Sequence, residues 1–224
     1  MRFRHTTPDT IVNSFHQLYY QTPEKTWDNT YWLGVPAEKC PLDLWIYQEI
    51  IYETKPDLIV ETGTRFGGSA LFLASICDLV GKGKVVTIDI TDEHPQPSHK
   101  RITYLKGSSV SSDIINKVGL LVKDELSVMV ILDSDHSAKH VLEELQLYSP
   151  FVTVGGYLIL EDTNINGHPV AADFGPGPME ALDEFLSQGD DFLVDTDKEK
   201  FFMTFNPRGF LKRIKPSVTD MNVD

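Results

Sequence analysis

Apolar and polar positions alternate along this chain in blocks whose lengths predict strands and helices in turn. Short apolar runs rich in β-branched residues predict strands, and the longer apolar or amphipathic runs between them predict helices. The predicted strands cover residues 58–61, 84–90, 102–106, 127–133 and 157–162. The predicted helices that follow them cover residues 70–80, 112–122, 137–148 and 178–186. This alternation predicts a parallel sheet covered by helices on both faces.

The pattern changes near the C-terminal end of the chain. Residues 191–194 and 201–205 have the composition of strands. The charged segment 195–200 between them leaves no room for a crossover helix, so these two strands should pair antiparallel.

Another helical layer is predicted before the first strand. Residues 9–20 and 41–55 have helix-start residues followed by apolar positions at helical spacing. The loop between them holds Trp27, Tyr31 and Trp32. Such a loop either packs on the core or forms a lid or a subunit contact, because aromatic-rich loops often supply binding surface.

These patterns define the expected fold class and domain organisation. The chain is predicted to be one structural unit, with an N-terminal helical extension (1–56) and an α/β domain (57–224). The domain should contain a doubly wound, seven-stranded, mostly parallel sheet that ends in an antiparallel hairpin.

A glycine turn follows the first predicted strand. Glu61 ends that strand, Gly63, Gly67 and Gly68 follow, and the next strand carries Asp89 at its end. An acid at that place suits a ribose, but the glycine spacing is not the G-x-G-x-x-G that brings backbone against a pyrophosphate. The turn resembles instead the S-adenosylmethionine site of Rossmann-like methyltransferases, although it could also be purely structural. The order of predicted strands is that of the class I methyltransferase fold.

Acidic residues cluster where two further strands end. Ligands of doubly wound sheets bind beyond the carboxyl ends of the strands, and those ends carry Asp135 on one strand and Glu161 and Asp162 on the next. Three close carboxylates repel one another unless a cation bridges them, and oxygen ligands favour Mg²⁺. The alternative is that Asp135 caps the following helix and Asp162 supports a turn.

Several motifs together resemble the cephalosporin hydroxylase family. Besides the glycine turn, they are Trp-Leu-Gly-Val-Pro at 32–36, the segment 40–49, Leu-Asp-Ser-Asp-His at 132–136, Glu-Asp-Thr-Asn at 161–164 and Gly-Pro-Gly-Pro-Met-Glu at 175–180. The resemblance implies a methyltransferase fold, bound S-adenosylmethionine and a magnesium site like that of catechol-type O-methyltransferases. Relatives in that family methylate sugar hydroxyls of macrolides.

The resemblance also implies roles for individual residues. It places the metal on Asp135, Glu161 and Asp162. The positions expected at the cofactor are Glu61, Gly63, Thr64, Gly67, Ser69, Asp89, Ser109 and Asp133.

The sequence thus predicts a magnesium-assisted O-methyltransferase that acts on a hydroxyl of a sugar or secondary metabolite. A base should take the hydroxyl proton, and the candidates beside the acids are His136, Lys139 and His168. Two alternatives stay open: a hydroxylase, as the family name suggests, or a non-catalytic S-adenosylmethionine-binding partner subunit. The loop 163–178 is expected to cover the acceptor.

Composition narrows the range of partners. A net charge of −13 over 224 residues argues against nucleic acid and anionic membranes, which both require clustered Lys and Arg. Neither a secretory leader nor an apolar run long enough to span a bilayer is recognisable, and the two cysteines, Cys40 and Cys77, form no disulfide framework. We expect a cytoplasmic protein with a small-molecule acceptor and a homo-oligomeric assembly to which the N-terminal layer contributes.

Overall fold

A computed structural model of the chain describes residues 7–216. Residues 1–6 and 217–224 lie outside the described part, and so does the N-terminal segment in which no secretory leader is expected. None of the helices within residues 7–216 is long and apolar enough to cross a bilayer.

The N-terminal layer consists of two helices with a small hairpin between them. Helix α1 is Pro8–Gln21, strands β1 and β2 are Tyr31–Trp32 and Val35–Pro36, and helix α2 is Pro41–Thr54. Each helix has a proline in its first turn, where the missing N–H costs nothing. Part of the aromatic loop packs on the core, which was one of the two alternatives for this loop. The centroid of the Trp32 ring lies 4.9 Å from that of the Phe72 ring.

The remaining elements alternate between strand and helix, as the sequence predicts. The strands are β3 (Leu58–Thr62), β4 (Lys84–Asp89), β5 (Ile102–Lys106), β6 (Val128–Leu132), β7 (Tyr157–Leu160), β8 (Phe192–Val194) and β9 (Phe210–Arg213). The helices are α3 (Gly68–Val80), α4 (Ser112–Val122), α5 (Ala138–Tyr148) and α6 (Pro178–Ser187).

One seven-stranded sheet organises the domain, with strand order β5-β4-β3-β6-β7-β9-β8. The first five of these strands pair in parallel, whereas β9 runs antiparallel to both β7 and β8. Strands β3, β6 and β7 are buried along their whole length, which is typical of a parallel sheet with helices on both faces. The predicted fold class is confirmed.

The prediction for the last strand of the sheet was wrong. Strand β9 is Phe210–Arg213, and residues 201–205 form a loop rather than a strand. In that loop Phe202 is exposed, and Phe205 turns towards α1, where its ring stacks on His16 at 5.5 Å. The antiparallel hairpin therefore exists, but its second strand begins later than the apolar pattern indicated.

Candidate active site

A cavity of about 700 Å³ lies at the carboxyl edge of the parallel strands. It is lined by the loops that follow β3, β4, β5, β6 and β7, and by parts of the N-terminal layer. This is the edge at which doubly wound sheets bind their ligands, and the volume is of the size that small-molecule sites have.

The glycine turn forms one wall of this cavity. Gly63 has φ +87°, and a Cβ added there would lie 1.7 Å from the carbonyl oxygen of Asp133. Gly67 also has a positive φ, and it precedes the first turn of α3. Glycine is required at 63 because the chain passes so close to β6, and the amide end of α3 consequently faces the cavity.

Two acids from this turn region have different environments. Asp89 lines the cavity, and its carboxylate accepts hydrogen bonds from the backbone N–H of Arg65 (2.7 Å) and of Thr91 (3.0 Å). Glu61 is fully buried and accepts a bond from Thr87 Oγ1 at 2.7 Å, while its Oε1 has no partner among the described residues. Burial raises the pKa of Glu61. Asp89 is therefore placed for a ligand, whereas Glu61 supports the turn from beneath.

The other cofactor candidates divide in the same way. Thr64, Ser69 and Ser109 line the cavity with Gly63, but Gly67 does not. The Ser109 hydroxyl lies 3.1 Å from His140 Nε2. The cavity thus collects hydroxyl groups and the Asp89 carboxylate on the side of β3, β4 and β5, which suits a ligand with a ribose and an amino-acid end.

Three side chains that could bind a metal ion lie close together where β6 and β7 end. One donor atom from each of Asp133, His136 and Asp162 lies within 4.8 Å of the others, and His136 Nε2 is 3.2 Å from Asp162 Oδ2. All three residues line the cavity. Two carboxylates with an imidazole are a donor set that fits a hard or borderline divalent cation such as Mg²⁺ or Mn²⁺, with water filling the other positions.

A buried lysine, which the sequence analysis did not single out, lies beneath this cluster. Lys39 Nζ pairs with the Asp133 carboxylate and lies 2.7 Å from Glu161 Oε2. Burial disfavours the ammonium, but the charges of Asp133 and Glu161 outweigh it and hold the pKa of Lys39 above its ordinary value. Burial also raises the pKa of Glu161, whose Oε1 has no partner among the described residues.

The three metal ligands predicted from the sequence are not brought together. Asp135 is exposed at the cavity, and its Oδ1 accepts the N–H of Ser137 at 2.7 Å, which forms an Asx turn before α5 rather than a helix cap. The hydrogen bonds from Ser137 lower the pKa of Asp135. Glu161 is engaged by Lys39. Only Asp162 of the predicted set belongs to the gathered cluster, with Asp133 and His136.

The three candidate bases also differ in position. His136 is half-buried and lines the cavity. Lys139 is exposed on α5 and is not part of the cavity lining. His168 lies outside the lining too, with its Nε2 3.0 Å from Glu180 Oε1. His136 is the one that the structure brings to the acids.

Comparison with known proteins gives one family. A model of the family described as rhamnosyl O-methyltransferase/CmcI matches residues 24–214. The rhamnosyl O-methyltransferase of Mycobacterium leprae (strain TN) is 40% identical over 212 residues, which are 92% of this chain and 91% of the relative. Its counterpart in Mycobacterium tuberculosis (strain ATCC 25618 / H37Rv) is 39% identical over 213 residues, with 92% and 86% coverage.

Solved structures share the fold at low sequence identity. The cmcI-D160 Mg-SAM structure has a TM-score of 0.67 and 18% identity, over 96% of this chain and 87% of that one. The O-methyltransferase TomG from Streptomyces achromogenes, in complex with SAM, has a TM-score of 0.53 and 14% identity, over 91% and 90%. At these identities the similarity concerns the arrangement of strands and helices alone.

Proposed function

Because this chain belongs to the rhamnosyl O-methyltransferase/CmcI family, we propose that it methylates a hydroxyl group of a rhamnosyl or closely related sugar. S-adenosylmethionine is the methyl donor, and a divalent cation, Mg²⁺ first, assists. The observation that carries the proposal is the continuity of one cavity from the glycine turn and Asp89 to Asp133, His136 and Asp162. A donor and an acceptor held in that cavity would meet beside the acidic cluster.

The cofactor would occupy the side of the cavity formed after β3, β4 and β5. Asp89 would accept the ribose hydroxyls, while Gly63, Thr64 and Ser69 would face the amino-acid end beside the amide groups that begin α3. Ser109 would lie against the adenine side. Glu61 and Gly67, which do not line the cavity, would fix the shape of the turn.

The cation would be held by Asp133 and Asp162, with His136 beside them. When bound, it supplies positive charge that makes a nearby hydroxyl more acidic, and S-adenosylmethionine supplies the methyl group. Asp135 and Glu161, which the sequence resemblance places at the metal, would act outside the immediate donor set, Asp135 as the acceptor of the Ser137 N–H and Glu161 as the partner of Lys39.

The chain's own residues would orient the acceptor and remove its proton. His136 is the proposed base, because imidazole is the commonest general base and its Nε2 lies 3.2 Å from Asp162 Oδ2 within the cavity. In this role it does not bind the cation, which the carboxylates of Asp133 and Asp162 would hold together with water. Asp162 would orient that ring and stabilise the positive charge that it acquires. Holding the acceptor oxygen in line with the methyl group supplies much of the remaining acceleration.

An iron-dependent hydroxylation has less support. The non-haem iron site of such enzymes has two histidines and one carboxylate, whereas the cluster gathered among residues 7–216 has one histidine and two carboxylates.

The location and the assembly of the protein belong to the proposal. Both cysteines are free thiols in the structure, which suits a reducing cytoplasm. A homo-oligomer is supported by Ile11, Phe15 and Leu18, apolar residues that are exposed on α1. Light scattering on a variant that lacks residues 1–20 measures whether α1 contributes to the assembly.

The direct test of the proposed function is transfer of a labelled methyl group from S-adenosylmethionine to methyl α-L-rhamnopyranoside. The amount of methylated product should increase in proportion to the enzyme concentration. It should also depend on the acids of the cavity, so the Asp162→Ala variant should give no product above background. If the intact protein binds S-adenosylhomocysteine and yet methylates neither this rhamnoside nor other rhamnosyl glycosides, the proposed function is refuted.

A further inference from the structure

Three aromatic side chains from distant parts of the chain form one side of the cavity. We call Tyr20, Trp27 and Phe205 the aromatic wall; all three line the cavity. The Tyr20 and Trp27 rings stack at 5.4 Å with an angle of 14° between their planes. The Tyr20 ring meets Phe205 edge-on at 6.0 Å. Tyr20 and Trp27 are half-buried, so the wall keeps part of its apolar surface open to the cavity.

The aromatic wall is fixed in place by contacts beneath it. His16, one turn before Tyr20 on α1, stacks on Phe205 at 5.5 Å, and its Nε2 lies 2.9 Å from Asn164 Nδ2. Gln17 donates a hydrogen bond to the carbonyl of Pro169 at 3.3 Å. Helix α1 is thereby held against the loop that follows β7. Because these contacts hold the aromatic wall in one position, the wall is preorganised, and binding a ligand costs less entropy.

Phe205 lies on the other side of β6 from the strands that precede the cofactor candidates. In the strand order, β5, β4 and β3 lie on one side of β6, whereas β7 and β9 lie on the other. The cofactor candidates follow β3, β4 and β5, but Phe205 precedes β9 and the acids lie between. Tyr20, Asp162 and His136 all line the same cavity.

The surroundings of the wall combine apolar and polar groups. Ile165 and Phe174, from the loop after β7, line the same cavity, and Asp162 and His136 supply the polar groups. A pyranose ring presents C–H groups on its faces and hydroxyls on its rim, and a 6-deoxyhexose adds a methyl group. Such a ring packs flat on an aromatic surface while its rim hydroxyls reach acids and imidazole.

We propose that the aromatic wall is the binding subsite for the acceptor's sugar ring, a 6-deoxyhexopyranoside, which stacks on Trp27 and Tyr20 with a rim hydroxyl at Asp162 and His136. This inference rests on the proposed function for the choice of sugar. It also assigns a role to the N-terminal layer, whose aromatic residues come from α1 and the loop after it. Ile165 and Phe174 of the loop 163–178 line the same cavity, so this loop would also contact the acceptor.

The test uses the full-length protein with three tryptophan variants. Trp27→Ala removes the stacking surface, Trp27→Phe keeps an aromatic face, and Trp45→Ala is the control, because Trp45 is exposed on α2 and does not line the cavity. Each protein is first saturated with S-adenosylhomocysteine, and methyl α-L-rhamnopyranoside is then added. Tryptophan fluorescence measures its binding to the intact protein, and calorimetry measures its binding to the variants. Methyl transfer is measured in parallel.

The expected result is a rise of about tenfold in the rhamnoside KM for Trp27→Ala, with largely restored KM in Trp27→Phe and no change in Trp45→Ala. The fluorescence change on adding rhamnoside should be present in the intact protein and absent in Trp27→Phe. Affinity for S-adenosylhomocysteine should be equal in all of them, because the wall is proposed to bind the acceptor and not the cofactor.

The outcomes separate the two proposals. If the rhamnoside binds in a Trp27-dependent way but no methyl group is transferred, the proposed function fails and the subsite stands. If methyl transfer occurs with an unchanged KM in Trp27→Ala, the subsite is refuted alone. A loss of S-adenosylhomocysteine affinity in Trp27→Ala would assign the wall to the cofactor and likewise overturn the inference, as would a lack of any rhamnoside binding to the intact protein.

Discussion

Lys39 and Glu161 face each other inside the protein, with Lys39 Nζ 2.7 Å from Glu161 Oε2. The same ammonium pairs with Asp133, and the side chains of Lys39 and Glu161 are 4% and 5% exposed. One positive charge from the N-terminal layer thus balances carboxylates at the ends of two central strands. Buried charges of this kind are tolerated only when they are paired.

Replacing Lys39 by methionine should therefore destabilise the fold strongly. The substitution keeps most of the volume but leaves buried carboxylates without a counter-ion, and the expected loss is about 3–5 kcal/mol of unfolding free energy in urea. Lys200→Met is the control, since Lys200 forms a solvent-accessible pair with Glu49 and such pairs contribute about 0–1 kcal/mol. Equal losses in the two variants would contradict this account of Lys39.

The sequence alone could locate the acids but could not decide which of them face one another. Asp133 and Asp135 both follow β6, and they are only two residues apart, so the apolar pattern places them at the same edge. Both residues line the cavity, but Asp135 accepts the backbone N–H of Ser137 in a turn before α5, whereas Asp133 lies close to His136 and Asp162. Lys39 was missed because lysine is almost never fully buried unless it is paired, and its partners lie more than 90 positions away.

Divalent cation binding should depend on Asp133 and Asp162 rather than on Asp135. Asp162→Asn removes a charge from the gathered cluster, and the affinity for Mg²⁺ or Mn²⁺ should fall by at least roughly tenfold, which is about 1.4 kcal/mol. Asp135→Asn should change that affinity little, because its carboxylate accepts the N–H of Ser137 and lies outside the gathered cluster. Calorimetric titration of the metal measures both, and chelator should abolish methyl transfer. The reverse order of effects would restore Asp135 to the metal.

Asp89 should dominate the affinity for the cofactor's ribose. Each of its two carboxylate oxygens already accepts one backbone N–H. Each could accept one more hydrogen bond, from a ribose hydroxyl. Loss of a hydrogen bond to a charged group costs roughly 1.5–3 kcal/mol. Calorimetry with S-adenosylhomocysteine should show this loss in Asp89→Ala but not in Asp92→Ala, whose side chain is exposed. Undiminished affinity in Asp89→Ala would remove the role from Asp89.

Gly63→Ala should disrupt the glycine turn far more than a glycine substitution elsewhere. The added methyl group would lie 1.7 Å from the Asp133 carbonyl oxygen, so β3 and β6 would have to separate. Gly81 is the matched control, because its φ is +76° and nothing lies within 4 Å of an added Cβ. Thermal unfolding should show a loss of about 1 kcal/mol for Gly81→Ala and a several-fold larger loss for Gly63→Ala. Similar losses would mean that the close approach to β6 is not limiting.

A buried carboxyl group beneath the aromatic wall gives a pH prediction. Burial raises the pKa of Asp43 to about 7, although its carboxylate accepts the N–H of Phe205 at 2.8 Å. Between about pH 4 and pH 7 the folded protein therefore keeps a proton that the unfolded chain has lost, so the stability that Asp43 contributes falls as pH rises through this window. The full loss corresponds to roughly 4 kcal/mol.

Asp43→Asn removes this titration while keeping an acceptor for Phe205. Its melting temperature relative to the parent should increase steadily from pH 4 to pH 7 and then level off. Asp113→Asn, at an exposed position on α4, should follow the parent at every pH. A constant difference between Asp43→Asn and the parent across this range would show that Asp43 is ionised in the folded protein.

The apolar pattern predicted the parallel strands well because their burial on both faces leaves continuous runs of Val, Ile and Leu. It failed for β9, where Phe210 and Leu211 are followed by two basic residues while the upstream segment holds three phenylalanines. The phenylalanines of that segment do not form a strand. Phe205 packs in the aromatic wall, and such a contact with α1, nearly the whole chain away, leaves no local signal.

The pairing of Lys39 with Asp133 and Glu161 also bears on where this protein can be divided. Residues 1–56 look like an appendage when the chain is read from the sequence, because the repeating strand and helix pattern starts only afterwards. Yet a fragment beginning at residue 57 would contain both carboxylates and lack the ammonium that neutralises them. Residues 1–56 therefore supply the positive charge that pairs with two carboxylates of the α/β domain, and a fragment that begins at residue 57 should be less stable than the whole chain.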